Sequence, residues 1–165
     1  MADTKERITA HDLASRYQNA INNLGLNAKI DEEGDVIFKH LDLGSMFLSC
    51  DAAQDPEFMM LVFPNFASKD SLGLTRDQLL LAINAVNTKS KAVKLGIRVD
   101  TIETQCDVIA TIECFLAAPN QAPSEEILNA TIGRNLSALR ASVKNLLTEA
   151  KAFASTPAGA SVQTV

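Results

Sequence analysis

The stretch NAKIDEEGDVIFKHLDLGSMFLSCDAAQDPEFMMLVFPNF, residues 27–66, decides the fold. Three polar breaks divide it: EEGD, DLGS and DAAQDP. In the first, Gly34 can supply the positive φ of a hairpin turn. Between the breaks lie short runs of Val, Ile, Phe, Met and Leu. They predict an antiparallel meander of four strands near 28–32, 35–41, 45–51 and 57–63. In the third, Met46, Leu48 and Cys50 share one face, while Ser45, Ser49 and Asp51 share the other. That alternation predicts a sheet with one wet side. Pro64 is expected to end the meander, because it has no N–H to give to a ladder.

Helices bracket this core. Thr9 and Asp12 form a capping pair, and Leu13, Tyr17, Ala20, Ile21 and Leu24 follow at helical spacing. Gly25 suits the C′ position, so the first helix is predicted over 9–24. Thr75 and Gln78 make a capping box for a second helix over 76–90. KSKAVK, residues 89–94, reads as a solvated loop with three lysines. Two strands are predicted near 96–103 and 106–117. In the second, Cys106, Val108, Ala110, Ile112, Cys114 and Leu116 fall on one face. Ser124 caps a final helix, with Glu125 and Glu126 favourable at its positive end. That helix is predicted to reach Ala154, roughly 30 residues and ~45 Å. Its apolar positions Ile132, Leu136, Leu139, Val143, Leu146, Ala150 and Phe153 alternate steps of four and three, a heptad seam.

The expected architecture is α+β: one domain over 8–154, an antiparallel sheet with helices packed on one face. The element order is α, four β, α, two β, α. Residues 1–7 are expected to be flexible and 155–165 disordered.

Composition narrows the function. The chain has 165 residues and a net charge of −5, which argues against nucleic-acid binding. No run of about 18 apolar residues exists, so no membrane insertion is expected. The N-terminus lacks the apolar core of a signal peptide. Three cysteines without a CxxC pair favour free thiols in a reducing cytoplasm. Cys106 and Cys114, eight positions apart on one strand, would sit about 26 Å apart and cannot bridge.

Catalytic and cofactor motifs are missing: HExxH, GxxxxGK[ST], GxGxxG and GxSxG do not occur. His11 and His40 lack a second ligand at metal spacing, so both read as surface or sheet-edge residues. DEEGD, residues 31–35, fails the spacing of a calcium loop and reads as a solvated turn. Asp51, Asp55 and Glu57 flank another turn without an aromatic cleft for a sugar. No catalytic residue, metal or cofactor is expected.

Two asparagines stand out in INAVNTKSKAVKLGI, residues 83–97. Leu79, Ile83 and Val86 define the buried face of the second helix. Asn87 lies near that face and Asn84 on its flank. A buried amide without partners costs about 1–3 kcal/mol. Asn87 is therefore expected to satisfy the last turn or the adjoining strand backbone. Leu81 falls opposite the buried face, where an exposed leucine hints at an interface.

The opening LGLNAKIDEEGDVIF (24–38), the segment RDQLLLAINAVNTKSKAVKLGI (76–97) and the element order together resemble the YbjN-like family. That family is related in fold to class I type III secretion chaperones. The resemblance implies a small, acidic, bacterial and cytoplasmic homodimer that binds another polypeptide, a secretion effector or a regulatory partner, along apolar surface. It implies no enzymatic activity. Candidate interface residues are Leu81, Leu136, Leu139, Val143, Leu146 and Phe153, with Asn84 and Asn87 as structural polar residues. The heptad seam suits either self-pairing or packing on its own sheet. A dimeric regulatory or structural protein without an unfolded client is the alternative reading. A small-ligand protein or enzyme is the third.

Overall fold

The computed structural model describes residues 8–155. The expectations for residues 1–7 and for most of the tail lie outside the described residues. Eleven elements follow in order. They are α1 (Ala10–Asn23), β1 (Ala28–Ile30), β2 (Val36–His40), β3 (Gly44–Ser49), β4 (Phe58–Ala67), α2 (Lys69–Leu72), α3 (Arg76–Lys89), β5 (Val93–Ile97), a 3-10 turn (Val99–Thr101), β6 (Val108–Phe115) and α4 (Glu125–Ala154). All strand pairings are antiparallel, and the sheet order is β1-β2-β3-β4-β6-β5. This is an α+β sandwich of one sheet and one helical layer.

Local chemistry sets the boundaries. The Thr9 hydroxyl accepts from the Asp12 N–H at 3.1 Å and starts α1. Gly25, at φ 78°, turns the chain out of it. In the first hairpin the Asp31 carboxylate accepts from the N–H groups of Glu33 and Asp35, and Gly34 takes φ 90°. The Thr75–Gln78 box starts α3 reciprocally. Ser124 caps α4 through the Ile127 N–H.

The core lies between the sheet and α1, α3 and α4. Alternate strand residues Val36, Phe38, Met46, Leu48, Met59, Leu61, Val93, Leu95, Val108, Ala110 and Ile112 are buried there. Tyr17 and Ile21 of α1, Leu79 and Val86 of α3, and Ile132, Leu139 and Leu146 of α4 meet them.

Four expectations need correction. Pro64 does not end the fourth strand. β4 continues to Ala67 across a bulge between Phe63 and Ala67. Its last pair with β3 is Val62 with Phe47, so Pro64 owes no N–H to a neighbour there. β5 begins at Val93 rather than near 96, inside the stretch read as a lysine loop. Gly96 is a mid-strand residue facing Ile109, where an added Cβ would find ordinary contact at 3.8 Å. The segment after Ile97 is a tight turn: the buried Thr101 hydroxyl donates to the Arg98 carbonyl and accepts from the Asp107 N–H. Cys106 closes that turn at φ 52° instead of starting a strand, and its thiol donates to the Ile102 carbonyl. The short helix α2 was also unforeseen. Its capping box pairs Ser68 and Ser71.

Candidate protein-interaction surface

The helices cover one face of the sheet, and among the described residues no helix or strand covers the other. Register places a row across it: Lys29, Ile37, Phe47, Val62, Thr111 and Lys94, one residue from each strand, with Val62 at its centre buried among its neighbours. A neighbouring row holds Ser49, Met60 and Glu113, and the next pairs Phe58 with Phe115. Ile37 is 41% exposed and Phe115 is 72% exposed. The Phe58 and Phe115 rings meet edge to face at 5.2 Å and 61°, an arrangement aromatic quadrupoles favour. Around Ile37 and Phe47 the face dips into an open hollow of about 380 Å³, bordered by Lys29, Lys39, Ser45 and Pro64.

On each edge strand of the sheet, one residue's outward backbone groups are bonded by helix side chains. On β5, the Leu95 N–H donates to Asn87 Oδ1 at 2.8 Å, and Asn87 Nδ2 donates to the Leu95 carbonyl at 3.0 Å. One amide from α3 thus fills the place of a neighbouring strand residue. On β1, the Ala28 N–H donates to Asn22 Oδ1 at 2.9 Å, and Gln18 Nε2 donates to the Ala28 carbonyl at 3.0 Å. Here two amides on successive turns of α1 share the task. A bare edge offers a ladder to any passing strand, and these side chains take up the middle of β5 and the first residue of β1.

The sequence-derived candidates separate accordingly. Asn87 joins α3 to the β5 edge, whereas Asn84 is exposed on the same helix. Leu81 is 50% exposed on the outer flank of α3, next to Leu80 at 42%. Leu136, Leu139 and Leu146 are buried within this chain, which corrects their reading as interface positions. α4 packs against α1 and α3, so its own fold covers the seam. Val143 and Phe153 are half-buried and packed against the same core. Gln18, Asn22, Ile37 and Phe47 were not singled out from sequence. For the first two, a Q-x-x-x-N spacing just before a glycine stop and a strand was the available signal.

The titratable side chains do not assemble a reactive centre among the described residues. The Cys50 thiol is pushed up to about 12, first by burial and then by the charges of Asp35 and Asp31. Burial also raises Cys114. Both sulfurs are held protonated and are weak nucleophiles. Burial likewise raises the Tyr17 phenol, whose hydroxyl has no hydrogen-bond partner among the described residues. His11 is exposed. His40, at the end of β2, receives the Asp42 N–H on Nδ1 and faces Arg140 through Nε2. Glu57 is buried, and its carboxylate accepts from the Asn120 N–H at 3.1 Å. No group of three or more metal-ligating side chains lies together among the described residues. No described helix is long and apolar enough to cross a membrane.

No family model and no curated protein matches the chain. Two solved structures are similar in shape. One is the Yersinia pestis type III secretion chaperone SycH in complex with a stable fragment of YscM2, at TM-score 0.48 and 14% identity, over 82% of this chain and 98% of that one. The other is the HopA1–SchA chaperone–effector complex, at TM-score 0.45 and 16% identity, over 90% of this chain and 99% of that one.

Proposed function

We propose that this chain is a non-enzymatic, chaperone-like module that holds a partner polypeptide against the open face of its sheet. One observation carries the reading. Helix side chains occupy one backbone position on each sheet edge, Ala28 and Leu95, while among the described residues no helix covers the face that carries Ile37, Phe47, Phe58, Met60 and Phe115. A wet sheet face normally carries mostly polar residues, so this apolar content suits an adaptable partner. The reading includes the YbjN-like kinship, the cytoplasmic setting and a secretion effector or regulatory protein as the partner. The test is binding of the full chain to an array of extended peptides, compared with Ile37→Glu and Phe115→Ser. Both variants are expected to keep the wild-type circular dichroism and melting temperature and to lose peptide retention. Retention by the variants at wild-type strength would remove the open face from the account.

A second reading, a dimeric regulator without an unfolded client, is favoured by Leu80 and Leu81. These neighbouring leucines are half-exposed on one flank of α3. This second reading puts the homodimer contact there rather than along α4. Leu81→Glu should then halve the mass measured by light scattering without lowering stability.

A further inference from the structure

We infer that the hollow around Ile37 and Phe47 takes a large apolar side chain flanked by carboxylates, so that the bound segment is acidic. The inference rests on the reading that the open face receives a polypeptide, and it names that polypeptide's chemistry.

The charge around the hollow runs against the rest of the molecule. The chain carries 20 acidic and 15 basic residues, yet the lining holds Lys29 and Lys39 and no acid. Register puts Lys29 directly across from Ile37, and Lys39 is the next residue of β2 on the same face. The two ammonium groups therefore bracket one apolar position from adjacent strands. Among the described residues neither has an ion-pair partner. By contrast, Lys94, at the far side of the same row, is held by Glu113 at 2.9 Å, and Lys89 by Glu149 at 2.8 Å. Of the acids near in sequence, Glu32 and Glu33 are exposed in the hairpin turn and pair with neither lysine, while Asp42 is held by Arg140 at 2.7 Å. Asp31 accepts from the turn it closes, and Asp35 accepts from the Cys50 N–H at 3.1 Å.

The volume fits an anchor side chain. A hollow of about 380 Å³ is at the small end of the ~300–1,000 Å³ range of ligand pockets. Its floor is Ile37 and Phe47, with Pro64 at one wall. A second copy of this chain suits the place poorly. A two-fold contact centred there would set Lys29 and Lys39 against their own equivalents. An acidic strand crossing the face would instead place carboxylates within reach of both lysines while its apolar residue fills the dip.

The test is fluorescence anisotropy of the full chain with three labelled peptides of equal length. Each has one central Leu, flanked by Asp, by Gln or by Lys. The Asp-flanked peptide is expected to bind roughly tenfold tighter than the Gln-flanked one, the worth of two exposed ion pairs within their usual range. The Lys29→Gln/Lys39→Gln double variant, both sites exposed, should fold normally and abolish that difference. The Lys29→Glu/Lys39→Glu variant should prefer the Lys-flanked peptide. Equal binding of the three peptides by wild type overturns the acidic assignment and leaves the peptide-binding reading standing. No binding of any of them, at a range of concentrations, overturns both. A change in mass of the charge-reversed variant by light scattering assigns the hollow to a second copy.

Discussion

The amide of Asn87 offers the sharpest quantitative check on this fold. Its side chain makes two hydrogen bonds to Leu95, at 2.8 and 3.0 Å, and Leu95 is only 5% exposed. The Asn87→Ala variant removes both partners and leaves an N–H and a carbonyl on a mostly buried edge. An unsatisfied buried group costs about 1–3 kcal/mol, and water entering the vacated space recovers part of it, so the loss should be about 2–4 kcal/mol. For a chain of this size that is a fall in melting temperature of ~5–15 °C. The assay is urea unfolding followed by circular dichroism, with the midpoint lowered and the slope unchanged. Asn84→Ala, three residues earlier on the same helix and exposed, should stay within about 0.5 kcal/mol of wild type. Asn87→Asp adds a signed pH dependence. The introduced carboxyl can still accept from the Leu95 N–H, but its second oxygen faces the Leu95 carbonyl, so its pKa in the folded state rises above the ordinary ~3.9. A group with a raised folded pKa is stabilising below its unfolded value and loses that as pH rises through the folded one. The variant should therefore approach wild type on acidification and fall away toward neutrality. If Asn87→Ala unfolds within about 0.5 kcal/mol of wild type, the amide is not the tie between α3 and β5.

Two further outcomes follow from burial. Leu139 is 1% exposed, so Leu139→Ala should cost about 2–5 kcal/mol, and Leu139→Asp should abolish the cooperative melt rather than yield a folded monomer. A folded, monomeric Leu139→Asp protein would return the α4 seam to an interface. The Cys50 thiol, pushed up to about 12 by burial and the nearby Asp35 and Asp31 charges, should react with iodoacetamide at pH 8 at least tenfold more slowly than in urea. Peptide mapping by mass spectrometry reads this out, and equal native and unfolded rates would contradict the half-buried placement of the thiol beside Asp35.

Caps and alternation were legible because they are local. Thr9, Thr75 and Ser124 each bond the N–H three residues on, and the helices start where those residues fall in the chain. The β1–β4 meander was readable for a similar reason, since turn residues and period-two runs need no knowledge of distant partners. Pro64 was misread because the rule about proline concerns a neighbour. The neighbour, β3, has already left β4 by that point, which sequence does not reveal. The α4 seam failed in the same manner. A heptad of apolar residues states that one helix face is covered and says nothing about whether the cover is another copy or α1 and α3.

The candidate site was hidden by a different mechanism, and it shows why the open face rather than an edge is the place to look. Phe47 shares its strand face with Ser45 and Ser49, so along β3 that side reads as polar, and Ile37 sits within the uniformly apolar run Val36–Phe38. The apolar surface exists only across strands, where Ile37 meets Phe47 and Phe58 meets Phe115. Register is a tertiary quantity, fixed by the buried side of the sheet: once Val36, Phe38, Met46 and Leu48 are committed to the core, Ile37 and Phe47 must face out together. The edge amides complete this logic. With Leu95 and Ala28 bonded to α3 and α1, a partner cannot gain the main-chain bonds that strand addition supplies at those two positions. On the proposed reading what remains is side-chain recognition on the face, where an apolar dip beside Lys29 and Lys39, which have no ion-pair partner among the described residues, discriminates by composition more than by backbone geometry.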